Sequence, residues 1–179
     1  MNQAIVKLRP LSIEDVDNVM TWVNDNEVIK NIANFDHVFS REEERKFLEK
    51  LTKSENDRVY SVENEKGEYI GQVGVNQIYW PARVGRLAMT IGNKEYQGKG
   101  YGQAALRELL RISFEELKMH KLWGVVFKTN ERMRHILHKN GFELEGTLRE
   151  EYILRGEYHD VVRMSILEKE YFKLKERKK

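Results

Sequence analysis

Apolar and polar positions change their period several times along this chain, and each change marks an element. Residues 5–8 alternate as a strand does and stop before Pro10. Ser12 with Asp15 three positions on is a capping pair, and the stripe Val16, Val19, Met20 and Val23 behind it predicts a helix ended by Asn24, Asp25 and Asn26. Residues 31–39 show no clear period. Ser40 with Glu43 caps a second helix through Phe47, Leu48 and Leu51, and the two helices together predict a flap. The period then drops to two. Residues 59–62, 69–79 and 84–91, separated by Glu65, Lys66 and Gly67 and then by Pro81 and Ala82, predict an antiparallel meander.

The third of these strands runs into a glycine-dense turn, which opens an amphipathic helix carrying Leu106, Leu109, Leu110, Phe114 and Leu117. Residues 122–127 are nearly all apolar, as a buried strand should be. Asn130 opens a further helix that ends at Asn140 and Gly141. Two long strands, 142–154 and 158–167, are joined through Arg155, Gly156 and Glu157, a hairpin turn. The elements follow the order strand, two helices, three strands, helix, strand, helix, two strands, with no internal repeat or linker. That order predicts an α+β fold in a single domain over residues 1–172, followed by a charged tail, 173–179, read as a solvated helix end.

The turn at Gln97, Gly98, Lys99, Gly100, Tyr101, Gly102 and Gln103 has the chemistry of an anion cradle. Its glycines let the backbone approach a ligand closely, and the first turn of the following helix offers unpaired N–H groups at a positive dipole end. Spacing narrows the anion. A nucleoside-triphosphate loop needs Ser or Thr after Gly-Lys, whereas Gly100 follows Gly98 and Lys99; the dinucleotide fingerprint needs G-x-G-x-x-G, whereas this turn reads G-x-G-x-G.

Composition closes off other classes of function. The 179 residues are 40% hydrophobic and 34% charged, which is ordinary for a globular protein, and a formal net charge of +2 implies no general attraction to nucleic acid or to membranes. Cysteine is absent, so disulfides and thiolate catalysis are excluded, and no His, Asp or Glu cluster has metal-ligand spacing, so no metal is expected. No apolar run approaches the roughly 20 residues of a membrane span, and the first residues lack a signal-peptide core. The expected location is the cytoplasm.

Gln97-x-x-Gly100-x-Gly102 resembles the loop that holds the pyrophosphate of acetyl-coenzyme A (acetyl-CoA) in the GNAT superfamily of N-acetyltransferases, and the element order resembles the GNAT fold over essentially the whole chain. Leu8-Arg9-Pro10-Leu11, Trp22-Val23-Asn24-Asp25, residues 95–101, and Asn130 followed by Asn140-Gly141-Phe142 are similar to the branch containing ribosomal-protein N-terminal acetyltransferases and spermidine N-acetyltransferases. Residues 145–164 are similar to the closing hairpin of the spermidine enzymes. The resemblance implies a mixed central sheet of about seven strands, an antiparallel meander plus a parallel splayed pair, flanked by about four helices. The splayed pair would leave backbone groups for pantetheine to bond as a pseudo-strand. Residues 97–103 would wrap the pyrophosphate, Lys99 adding charge. Thr90 and Ile91 would offer backbone groups to pantetheine and an N–H to the thioester oxygen, and Asn130 would bond the pantetheine arm or cap its helix. The implied reaction is direct attack of a primary amine on the acetyl thioester, with a small polyamine-like or amino-sugar acceptor ahead of a protein N-terminus. A catalytically silent acyl-CoA-binding module is the alternative from another class. Dimers are common in this branch.

The chain departs from that pattern where relatives keep their acid and base. Leu137 stands in place of a Tyr, Leu87 in place of a Glu and Met133 in place of a Ser. Tyr152 and Glu151 in the closing hairpin are the candidate replacements, a phenol to protonate the leaving sulfur and a carboxylate to take a proton through water. Strand alternation turns only one of them inward. His135 and His138 are read as exposed helix positions. Glu27, Asp36, Glu150 and Glu151 are candidates to attract a cationic acceptor, with Phe35, Phe39, Tyr79 and Trp80 as an apolar wall.

Overall fold

Both capping pairs close as the sequence predicts. Asp15 accepts from the Ser12 N–H at 3.0 Å, and Glu43 accepts from the Ser40 N–H at 2.8 Å. The computed structural model describes residues 4–32 and 37–177. Strand β1 (Lys7–Pro10) leads into a short 3-10 turn, Ile13–Asp15, then α1 (Val16–Met20), α2 (Asn26–Ile29) and α3 (Arg41–Thr52). The meander β2 (Arg58–Glu63), β3 (Tyr69–Tyr79) and β4 (Val84–Ile91) follows. Next come α4 (Tyr101–Arg111), a π-helical turn at Ile112–Glu116, β5 (Lys121–Phe127), α5 (Glu131–Lys139), β6 (Glu143–Leu154), β7 (Glu157–Leu167) and α6 (Glu168–Glu176).

One helix differs from the expectation. The sequence marks the polar run Asn24-Asp25-Asn26 only as a stop, yet Asp25 accepts from the Glu27 N–H at 2.9 Å and so starts α2. The charged stretch from Lys173 ends α6 with Lys173, Lys175 and Glu176 exposed, while Tyr171 and Leu174 of the same helix pack on the core.

The strands form one seven-stranded sheet in the order β1-β2-β3-β4-β5-β7-β6. All neighbours are antiparallel except β4 and β5, which pair in parallel through Val84 with Lys121, Gly85 with Leu122 and Arg86 with Trp123. Beyond Arg86, β4 stays with β3 and β5 stays with β7, so the parallel pair splays into a gap as expected.

The two faces of the sheet carry different loads. On one, Val62, Val73 and Leu87 pack against Leu106, Leu109 and Phe114. On the other, Ser61 donates to the Asp15 carboxylate at 2.7 Å, and Leu48, Val19 and Trp22 close a smaller core beneath the flap. Register carries this second face across the sheet from Ser61 to Gln72 and on to Thr90. Arg9 holds Asp15 in a fork at 2.8 and 3.0 Å. Burial raises the Asp15 pKa, but hydrogen bonds from Arg9, Ser61 and the Ser12 N–H outweigh it and hold the carboxyl below its ordinary range.

Glu44 is the opposite case. It is 5% exposed on the buried side of α3, its carboxylate has no hydrogen-bond partner among the described residues, and burial pushes its pKa up. A raised folded-state pKa means that the penalty is absent below the unfolded value of about 4.3 and grows as pH rises through the folded value. Glu44→Gln is therefore expected to raise Tm by a few degrees at pH 7, and the gain to vanish below about pH 4. Thermal melts of both proteins across that range check it.

Candidate active site

The glycine loop begins where β4 ends. Gly92 lies against the Trp22 indole so closely that a Cβ there would meet Cδ1 at 2.2 Å, which clamps the flap to the end of the strand. Lys94 on the loop side pairs with Asp25 of the flap at 2.6 Å. The Gln97 side chain donates to the Ile91 carbonyl at 2.7 Å, so it shapes the loop and faces the chain rather than a ligand.

Gly98 and Gly100 adopt φ of +79° and +94°, a region that strains other residues, and Gly100 caps α4 in the left-handed conformation. The first bond of α4 is donated by Ala104 to the Gly100 carbonyl. The N–H groups of Gly98, Lys99, Gly100, Tyr101, Gly102 and Gln103 find no acceptor among the described residues. A cavity of about 660 Å³ opens over this turn, lined by Gln97, Gly98, Gly100, Gly102 and Gln103 from the loop and by Asn130, Arg132 and Met133 from the start of α5.

The other loop residues divide their duties. Tyr101 contributes its backbone, since its hydroxyl bonds the Glu65 carboxylate at 2.9 Å and its ring packs edge-on against Tyr96. Lys99 is exposed on the loop. The cation that faces the cradle from across the groove is Arg132, whose guanidinium lies 3.9 Å from where a Cβ on Gly98 would sit. Sequence reading missed it, because nothing in the spacing ties residue 132 to the loop. Asn130 Oδ1 accepts from the Met133 N–H at 3.1 Å as a helix cap, and its Nδ2 has no partner among the described residues.

A second cavity of about 490 Å³ fills the gap between the diverging strands. It shares Met89, Thr90, Asn130 and Met133 with the first, so the two adjoin and together mark out a channel. Backbone direction along β4 differs from the expectation at Thr90. The Thr90 carbonyl lies 2.2 Å from where a Cβ on Gly71 would be, so it points into β3. Antiparallel strands alternate the side to which each residue turns both its N–H and C=O, so the backbone groups that face the gap belong to Met89 and Ile91. Thr90 still lines the channel.

At the inner end stand the apolar Leu87, Met133 and Leu137, with Val126, Phe127 and Val161. Among the described residues, Arg86 is the only charged side chain lining this cavity, and Tyr152 is its other titratable group. Tyr152 is half-buried with its ring edge-on to Phe127, while Glu151 is exposed on the opposite side of β6. The residues between Leu148 and Tyr152 form a bulge, with Glu150 at φ +50° and its N–H bonded to Asp160 Oδ1 at 3.0 Å. His135 lines the outer wall of the cradle and is exposed, as is His138.

The residues suggested for the acceptor scatter. Glu27 pairs with Lys30, Phe39 packs under the flap, and Tyr79 and Trp80 sit at the far end of β3 from the glycine loop. Phe35 and Asp36 lie outside the described residues. No group of three His, Asp or Glu that could hold a metal occurs among the described residues, and no helix is long and apolar enough to cross a membrane.

A bare N–H cradle at one end of a channel and a splayed strand pair at the other accord with a family model described as an acetyltransferase (GNAT) domain, which matches residues 6–143. The chain belongs to the GNAT family of acetyltransferases. Spermidine N(1)-acetyltransferase of Escherichia coli (strain K12) is 32% identical to this GNAT chain over 169 residues, covering 93% of it and 88% of the relative. A putative ribosomal N-acetyltransferase of Bacillus subtilis, YdaF, is 30% identical over 105 residues, 59% of this chain and 57% of that one. The crystal structure of spermidine N-acetyltransferase from Vibrio cholerae in complex with CoA and spermine superposes with a TM-score of 0.86 at 28% identity, over 93% of this chain and 98% of that chain. As a GNAT acetyltransferase the protein takes acetyl-CoA as co-substrate and transfers the acetyl group to an amine.

Proposed function

We propose that acetyl-CoA lies along the channel with its diphosphate on the N–H groups of residues 98–103 and its thioester beside Tyr152, and that a small primary amine of the polyamine or amino-sugar kind attacks it from the flap side. The observation that carries this reading is that the two cavities adjoin, sharing Met89, Thr90, Asn130 and Met133 as lining. Arg132 adds positive charge at the diphosphate end, where charge-assisted bonds are strongest. The Met89 and Ile91 N–H groups face the gap and supply donors for pantetheine and for the oxyanion. An alkylammonium titrates near roughly 10.4, so the attacking nitrogen must be neutral, and the largely apolar lining together with the positive charge of Arg86 favours that form. As the C–S bond breaks, Tyr152 protonates the departing sulfur, and the proton that the nitrogen sheds as the amide forms restores the phenol. The spermidine relatives support the small-amine class of acceptor.

A cytoplasmic location and a homodimer belong to the same reading, the dimer supported by exposed Leu144, Ile153 and Tyr158 on the β6–β7 hairpin. Thiol release from acetyl-CoA, followed with spermidine, glucosamine and a peptide with a free N-terminus, tests the reaction. Turnover of the small amines above the peptide is expected. Preference for the peptide would favour an N-terminal acetyltransferase, and CoA binding without thiol release for any amine would favour a silent binding module.

A further inference from the structure

On the flap-side face of the sheet, at the point where β4 and β5 part, positive charge gathers without enough negative charge to balance it. Arg86 lines the inner cavity, and among the described residues it makes no ion pair or hydrogen bond. Its guanidinium lies 5.9 Å from the centre of the Trp123 ring, its partner across the parallel pair. Arg163 stacks on the same ring at 4.1 Å, and it stands opposite Val125, which also lines the cavity. The buried Arg163 Nε lies 3.2 Å from Glu145 Oε2 but outside hydrogen-bond geometry, and so it remains an unmatched donor.

Glu145 is already shared. It accepts from Lys121 and from Ser165, and the Lys121 contact, the strongest cause, holds its carboxyl below the ordinary range. Lys121 and Arg163 therefore share one carboxylate, and Arg86 has none among the described residues, which leaves two of the three positive charges uncompensated. Asn76, opposite Arg86 on β3, adds a buried Oδ1 with no hydrogen-bond partner. Half-buried guanidiniums short of counter-ions are costly to hold, and planar forks of N–H donors fit phosphate and carboxylate oxygens.

We infer that Arg86 and Arg163, over Trp123, form an anion seat at the floor of the acceptor cavity that binds a phosphate or carboxylate on the acceptor itself. The inference rests on the acetyltransferase reading and deepens it: within the small amines, the seat selects those that carry an anionic group as well as the reacting nitrogen, as a phosphorylated amino sugar does. Arg86 and Arg163 set specificity. The cradle at residues 98–103 is a separate site and holds the diphosphate of the co-substrate.

Two measurements test the seat. The first titrates inorganic phosphate into protein saturated with CoA, so that the cradle is filled. One phosphate is expected to bind, with affinity reduced about tenfold or more in Arg86→Gln and in Arg163→Gln, since each loses a charge-assisted contact. Absence of binding, or equal binding by the variants, would overturn the seat whether or not any amine reacts. The second compares kcat/KM for glucosamine 6-phosphate with that for glucosamine and for spermidine. A preference of about tenfold or more for the phosphorylated amine is expected, falling towards parity in Arg86→Gln. Equal use of the first two by the native protein, or a ratio unchanged in the variant, defeats the inference. Failure of every amine with phosphate binding intact would strike at the reaction and leave the seat standing.

Discussion

Gly100→Glu is expected to weaken CoA binding at least about 100-fold, roughly 3 kcal/mol, as read by calorimetric titration. Gly100 sits at φ +94° at the head of α4, where a side chain strains the backbone by roughly 1–2 kcal/mol. Steric room is not the obstacle, because a Cβ there would meet only the Ala4 Cβ at 3.6 Å, an ordinary contact. The loss comes instead from charge. A carboxylate in the mouth of the cradle competes for the same free N–H groups and repels a diphosphate at close range, where the pocket walls weaken solvent screening. Gly156→Glu is the control, since Gly156 has φ +81° and nothing within 4 Å of its Cβ, at the turn of the β6–β7 hairpin, where it lines neither cavity. That variant is expected to carry similar backbone strain and to bind CoA normally. Unchanged affinity in Gly100→Glu, or equal loss in both, would remove the cradle from residues 98–103.

The fold was legible because its local signals agree with one another. Ser12 with Asp15 and Ser40 with Glu43 close as boxes, the alternating run 69–79 is a strand over its full length, and the apolar run after residue 121 lies in the middle of the sheet. What was not legible depends on register or on distance along the chain. Thr90 and Ile91 are neighbours in the sequence, and only the pairing of Thr90 with Gln72 decides which of them turns its backbone to the gap. Arg132 reaches the glycine loop because α5 starts beside it, a fact that spacing along the chain does not encode. Arg86 and Arg163 meet over Trp123 through strand pairing alone. Alternation did predict that Tyr152 and Glu151 face opposite ways, and it survives the bulge at residues 149–151. Three residues of β6 there oppose Asp160 alone, a shift of two positions that restores the inward parity of Tyr152.

Tyr152→Phe is expected to lower kcat about 100-fold with little change in CoA affinity. Among the described residues, the phenol is the one titratable side chain at the inner end of the channel besides the guanidinium of Arg86, since Leu87, Met133 and Leu137 are apolar. A positioned general acid contributes roughly 10²–10⁴ in rate, and the lower figure suits a thiol, which leaves readily even as thiolate. Phenylalanine retains the ring that packs edge-on against Phe127, so cavity shape and the seat of pantetheine are preserved. The effect should therefore appear in kcat and in kcat/KM together, as expected for an interaction made only in the transition state. Glu151→Gln is the companion variant: exposed on the other side of β6, it is expected to change kcat less than about twofold. Single-turnover release of CoA thiol separates chemistry from product release in both proteins. If Tyr152→Phe keeps its native rate, the sulfur departs without this donor and catalysis falls to positioning on the β4 backbone alone. If Glu151→Gln is the slower of the two, the inward face of the hairpin has been misassigned.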